Sequence, residues 1–191
     1  MKSINYLIVE LDKAYENEVE VSTGEKVIVN STIEDVSFIN RKARVVSAPE
    51  FTILQKGDEV IVHHNIFRLR NDVKGVVAPS NYDIGDNKYI VPLTEVFMYK
   101  RDSDWVPIEP YCFVKPIKKV KEEGFSASIK EVSYKGMEKR VGIITYPNKV
   151  LINQGVKSGD KIYFSKNSEY EFVIDGELYY KMSTRDILAV E

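Results

Sequence analysis

Short apolar runs that alternate with polar residues, each bounded by Gly, Pro, Asn or Asp, constrain this chain more than any other feature. Tyr6-Leu-Ile-Val-Glu10, Val60-Ile-Val-His-His64, Lys88-Tyr-Ile-Val91, Lys161-Ile-Tyr-Phe164 and Tyr170-Glu-Phe-Val-Ile174 are all of this kind. A period of two puts successive side chains on opposite faces of an extended backbone, and β-branched and aromatic residues favour that conformation. No segment carries a sustained helical period. Lys118-Lys-Val-Lys-Glu-Glu123 comes nearest and runs straight into Gly124. The 12 Tyr and 8 Phe belong to the same pattern. The expected class is all-β.

The pattern occurs twice. Ile4-Asn-Tyr-Leu-Ile-Val-Glu10 is echoed by Glu109-Pro-Tyr-Cys-Phe-Val-Lys115, and Arg44-Val-Val-Ser-Ala-Pro49 by Gly142-Ile-Ile-Thr-Tyr-Pro147. Gln55-Lys-Gly-Asp-Glu-Val-Ile-Val62 is echoed by Val156-Lys-Ser-Gly-Asp-Lys-Ile-Tyr-Phe164. Asp86-Asn-Lys-Tyr-Ile-Val-Pro-Leu-Thr94 is echoed by Asp175-Gly-Glu-Leu-Tyr-Tyr-Lys-Met-Ser183. Gly-Asp before a strand is common turn chemistry, so the shared order of the echoes carries the argument. The polar stretch Arg101-Asp-Ser-Asp104 separates the copies, which places one module at 1–102 and the other at 103–191. Each copy predicts about five short strands, with Asp175-Gly176 as a type I′ hairpin turn. A small closed barrel would leave no exposed edge. Copy one carries an extra stretch, Leu69 to Gly85, where copy two needs only a few residues.

The second copy resembles the C-terminal half of the GroES-type co-chaperonins. The resemblance rests on Val156-Lys-Ser-Gly-Asp160, the hairpin closing on Asp175-Gly-Glu177, and the ending Ser183-Thr-Arg-Asp-Ile-Leu-Ala-Val-Glu191. Tyr111-Cys-Phe-Val-Lys115 is similar to the family's first strand, without the acidic and basic pair that usually precedes it. Copy one is more divergent, with Lys56-Gly-Asp58 and Asp86-Asn-Lys-Tyr89 as its matching points. Two modules in one chain resemble the double-module chloroplast co-chaperonins. The resemblance implies two tandem GroES-like small β-barrels, each with a long mobile loop after its first strand. It also implies an oligomeric ring that caps an ATP-driven, GroEL-like chaperonin and encloses a folding client protein. On that reading the chain is no enzyme and holds no cofactor; ATP and ADP belong to the partner chaperonin.

The family's contact element is an apolar triplet on that loop. In copy one the segment from about Asp12 to Asn40 fits the slot, and Val27, Ile28 and Val29 match the triplet, with Gly24 nearby but not adjacent. Glu16, Glu18, Glu20 and Ser22 on one side and Asn30-Ser-Thr32 on the other disfavour packing of the loop onto its own module. The competing reading makes Val27–Val29 an ordinary core strand, since short buried strands look identical in sequence. Copy two offers Gly124-Phe-Ser-Ala-Ser-Ile129 from its corresponding loop, about Lys118 to Arg140. There Phe125 and Ile129 are the candidate anchors, interrupted by Ser126 and Ser128. The connections from Ser47 to Lys56 and from Thr145 to Lys157 are too short for the family's long roof hairpin.

Composition narrows the alternatives. Lys plus Arg number 27 and Asp plus Glu 29, for a formal charge of −2, so no global field draws the chain to nucleic acid or anionic lipid. The single Cys112 excludes an internal disulfide and a multi-cysteine zinc site; in a strand it reads as a buried hydrophobe. His63 and His64, adjacent in a predicted strand, should point to opposite faces and so make a poor metal site. No phosphate loop or catalytic constellation is evident. The opening run is too short for a secretory leader, which makes the cytoplasm the expected compartment. The remaining alternative is a structural β-barrel subunit of a multimeric assembly with no chaperonin partner.

Overall fold

A computed structural model describes residues 2–15, 18–20, 26–28, 39–71, 73–118 and 136–191. The chain divides into two compact units, Met1–Trp105 and Val106–Glu191. The first holds β1 (Leu7–Glu10), β2 (Glu18–Glu20), β3 (Lys26–Ile28), β4 (Lys42–Ser47), β5 (Glu59–Val62), β6 (Arg70–Asn71), β7 (Val77–Ala78), β8 (Asp83–Gly85), β9 (Lys88–Val91) and β10 (Val96–Arg101). β11 (Asp104–Pro107) spans the boundary. The second unit holds β12 (Tyr111–Lys118), β13 (Met137–Tyr146), α1 (Lys149–Asn153), β14 (Lys161–Phe164), β15 (Tyr170–Ile174), β16 (Glu177–Ser183) and β17 (Ile187–Val190). The protein is all-β, as the alternation predicts, with α1 as a five-residue exception. Among the described residues, no helix is long and apolar enough to cross a membrane.

The first sheet runs β11-β10-β5-β4-β1-β9-β8 and the second β15-β16-β12-β13-β14-β17. Read in the order β8-β9-β1-β4-β5-β10, the first unit has the strand order of the second, and the five pairings in each are all antiparallel. The irregularities also recur. The β1–β4 ladder slips between Ile8 and Val9, and the β12–β13 ladder slips between Phe113 and Val114. Hydrogen bonding closes neither sheet into a ring among the described residues, so the expected closed barrels are observed as open sheets with edge strands.

The Gly-Asp turns explain why that echo survives in the sequence. In the first unit the Gly57 N–H donates to the Val45 carbonyl (2.8 Å), Val45 N–H donates to the Asp58 carbonyl (2.8 Å), and the Asp58 carboxylate accepts from Gln55 N–H (2.8 Å). The second unit repeats the set: Gly159 to Ile144 (2.8 Å), Ile144 to Asp160 (2.9 Å), and Lys157 N–H to the Asp160 carboxylate (2.7 Å). Gly57 and Gly159 sit at φ of +96° and +98°, where a side chain is strained. These bonds pair Val45 with Ile144, one residue away from the match made by aligning Pro49 with Pro147. Burial of Val45 and Ile144 sets the register, because a one-residue slip would turn every side chain to the other face.

The hairpins differ in length by an even number. Five residues, 88–92, separate the Asp86-Asn87 turn from the 3-10 turn Leu93–Glu95. Seven, 177–183, separate Asp175-Gly176 from Thr184–Asp186. A difference of two preserves which face each side chain occupies. Asp86, Asn87, Asp175 and Gly176 all have positive φ, as a type I′ turn requires. The extra stretch of the first unit is shorter than the expected Leu69–Gly85, because Asp83–Gly85 is β8, the counterpart of β15.

The cores lie along the central strands. Leu7, Val9, Val60, Val62, Val91 and Val96 anchor the first; Cys112, Val114, Ile144, Ile162, Phe164 and Met182 anchor the second. Where a longer roof hairpin is absent, the first unit makes a turn at Pro49–Thr52 and the second makes α1. The Asn148 side chain caps α1 by accepting from Leu151 N–H (3.0 Å). Its amide donates to the Tyr111 carbonyl (3.1 Å) and to Thr184 Oγ1 (2.5 Å). This buried cap ties the helix to the start of β12 and to the 3-10 turn Thr184–Asp186 that follows β16.

Candidate functional site

In both units the candidate segment lies, in sequence, between the first strand of the sheet and the strand paired beside it. In the first unit the point of departure is a buried neck. Tyr15 bridges Ile39, Asn40 N–H donates to the Ala14 carbonyl (2.9 Å), and both Tyr15 and Ile39 are buried. The Tyr15 hydroxyl accepts from Leu69 N–H (3.1 Å), and the Asn40 carboxamide oxygen accepts from Lys42 N–H (2.9 Å). Beyond the neck, β2 and β3 form a two-stranded antiparallel ribbon, with Glu18 opposite Ile28 and Val19 opposite Val27. This ribbon is a sheet separate from the seven-stranded one. The backbones of Val27 and Ile28 therefore lie in a paired ribbon, while Val29 lies outside the described residues.

In the second unit the β12–β13 ladder reaches out to Lys118 opposite Met137. Those two residues bracket the segment containing Phe125 and Ile129, both of which lie outside the described residues. Gly142 sets the close approach of the strands leading there. A Cβ at that position would collide with Val114 Cγ1 and lie 2.9 Å from the Lys115 carbonyl oxygen.

Cys112 is fully buried, and burial, with a smaller contribution from the negative charge of Asp186, pushes its thiol up to about 12. It is a core side chain, not an available nucleophile. The histidines do not alternate. β5 ends at Val62, His63 caps a 3-10 turn that His64 opens, and the rings stack with centroids 4.2 Å apart. The turn rotates both rings to one side, which a continued strand would have prevented. Among the described residues, no three His, Cys, Asp or Glu side chains converge as a metal site. Trp105 is buried, with Lys42 and Lys100 ammonium groups 5.7 and 5.8 Å from its ring centroid.

Residues 125–191 match the family model of the chaperonin 10 kDa subunit. The matched region contains β13, α1 and β14–β17, which is all of the second sheet except β12. No curated protein matches the chain. The chaperonin 10 kDa family is a co-chaperonin family and not a family of enzymes. The match supports a co-chaperonin role in general, with a chaperonin as the kind of partner.

Sequence reasoning points to the two candidate segments but not to the buried neck of the first. Tyr15, Ile39 and Asn40 are far apart in sequence or unremarkable in type, and only the pairing of β1 with β4 brings them together.

Proposed function

We propose that this protein is a co-chaperonin built from two GroES-like β-sheet modules in tandem. Its chains assemble into a homo-oligomeric ring that lids a GroEL-like chaperonin in the cytoplasm and encloses a folding client protein. The observation that carries the reading is the chaperonin 10 kDa match over residues 125–191, joined to a first unit with the same strand order, ladder slip and Gly-Asp turn. Val27, Ile28 and Val29 are the proposed gripping residues of the first module, and Phe125 and Ile129 are those of the second. A short apolar contact binds modestly by itself, but several around a ring give strong and reversible attachment through avidity. ATP hydrolysis belongs to the chaperonin, and this chain needs no cofactor of its own.

The test is co-sedimentation of the native protein with a chaperonin ring in the presence of adenine nucleotide, comparing wild type with Ile28→Asp. The expected result is complex formation by the wild type and its loss in Ile28→Asp, with unfolding free energy unchanged within about 0.5 kcal/mol, as for a surface substitution. A large loss of stability would instead assign Ile28 to a core. Stable oligomers of the wild type that ignore the chaperonin would select the structural-subunit alternative.

A further inference from the structure

The first unit carries a polar cleft between the 3-10 turn at His64–Ile66 and the β6–β7 ribbon. It has a volume of about 490 Å³ and is lined by Asn65, Arg68, Arg70, Asn71, Asn81 and Tyr82 among others. We infer that this cleft binds phosphate groups, free or esterified, through the guanidinium groups of Arg68 and Arg70.

Three observations carry the inference. Among the described residues the lining holds two guanidinium groups and three carboxamides and includes no carboxylate, in a chain whose acidic residues outnumber its basic ones. A merely solvated surface would intersperse both signs. Two guanidinium groups lining one cleft favour an anion there, and a guanidinium fork matches the oxygens of a phosphate in bidentate fashion. Secondly, the walls are built. Arg70 Nε donates to the Pro79 carbonyl (3.0 Å), Arg68 N–H to the His64 carbonyl (3.1 Å), Leu69 N–H to the Tyr15 hydroxyl (3.1 Å), and Tyr82 N–H to Ser80 Oγ (3.2 Å). Ile66, Phe67 and Ser80 are buried behind them. Finally, His64 borders the same positive field. Its own burial, with the charges of His63, Arg41 and Arg68, depresses its pKa to about 4, so at neutral pH the ring is uncharged and the arginines supply the cleft's charge. The carboxamides of Asn65, Asn71 and Asn81 can donate to phosphate oxygens that the arginines leave unpaired. This inference is independent of the co-chaperonin reading.

The test is NMR of the full chain, titrated with inorganic phosphate, pyrophosphate and ADP at an ionic strength held constant with chloride. The expected result is saturable movement of the Asn65, Asn71, Asn81 and Tyr82 amide signals, with a His64 pKa raised by the bound anion. Arg68→Gln and Arg70→Gln, both at solvent-accessible positions, should each weaken binding about tenfold, the loss expected for one charge-assisted pair. Binding of phosphate and pyrophosphate alone identifies a site for the free anion, and equal binding of ADP identifies one that reads phosphate esters. Movement that does not saturate, that chloride reproduces, or that survives both arginine substitutions unchanged overturns the inference.

Discussion

Replacing Asp58 by asparagine separates a charge from a hydrogen bond at a turn that both units share. The Asp58 side chain is 3% exposed and accepts from Gln55 N–H at 2.8 Å. It also accepts from Arg101 Nε at 2.8 Å and Nη2 at 2.7 Å, while the same Nη2 donates to the Ile53 carbonyl at 2.9 Å. Burial alone would raise its pKa, but the Arg101 fork and the Gln55 N–H outweigh it and hold the carboxyl below its usual range. The substituted carboxamide would keep an acceptor for Gln55 and turn an amide or a neutral oxygen toward the guanidinium. A hydrogen bond to a charged group is worth about 1.5–3 kcal/mol, and removing one partner of a buried pair costs more than it costs at a surface. Because Arg101 is 36% exposed and water reaches it, the expected cost of Asp58→Asn is about 2–3 kcal/mol. Asp160 supplies the control. It accepts from Lys157 N–H at 2.7 Å in the same geometry, but no arginine reaches it among the described residues, so Asp160→Asn should cost about 0.5–1 kcal/mol.

Amide hydrogen exchange at Val45 and Gly57 in one unit and at Ile144 and Gly159 in the other reads each turn separately. Asp58→Asn should speed exchange of its pair roughly thirty- to 150-fold. The pH dependence has a definite sign. A carboxyl whose folded pKa is depressed contributes stability that is complete above its unfolded value, near 3.8, and is lost as pH falls through the lower folded value. The gap between wild type and Asp58→Asn should therefore be constant near neutrality and shrink below about pH 4. Equal costs for the two substitutions would refute the reasoning, because the arginine fork is the feature that separates the turns.

Gly142→Ala should destabilise the second unit by about 1–3 kcal/mol in a urea titration, since the added methyl meets Val114 and the Lys115 backbone. Asn148→Ala should cost about 2–3 kcal/mol by the same measurement, because it leaves the Tyr111 carbonyl and the Leu151 N–H without their side-chain partner in a buried site. Cys112 should resist alkylation at pH 8 in the folded protein and react once denaturant exposes it, a contrast read directly by mass spectrometry.

The alternating runs and the doubled order of turns were legible in the chain itself, because a period of two and the need for Gly at positive φ are local requirements. Gly57-Asp58 and Gly159-Asp160 declare their turns wherever the rest of the chain lies. The ladder register was not local: Pro49 and Pro147 suggested a match one residue away from the one that burial of Val45 and Ile144 selects. The histidines escaped for a related reason, since nothing before His63 announces that the strand stops and a 3-10 turn stacks the rings. Alternation also understated the packing. Leu7, Ile8 and Val9 are all buried, as are Cys112, Phe113 and Val114, so these strands are covered on both faces although their flanks read as half-solvated. Only tertiary structure could bring Tyr15 to Ile39, set Arg68 and Arg70 on one cleft, and give Arg101 to Asp58 but, among the described residues, no such partner to Asp160. Those contacts join residues distant in the chain, and local propensity carries no information about which distant groups will meet.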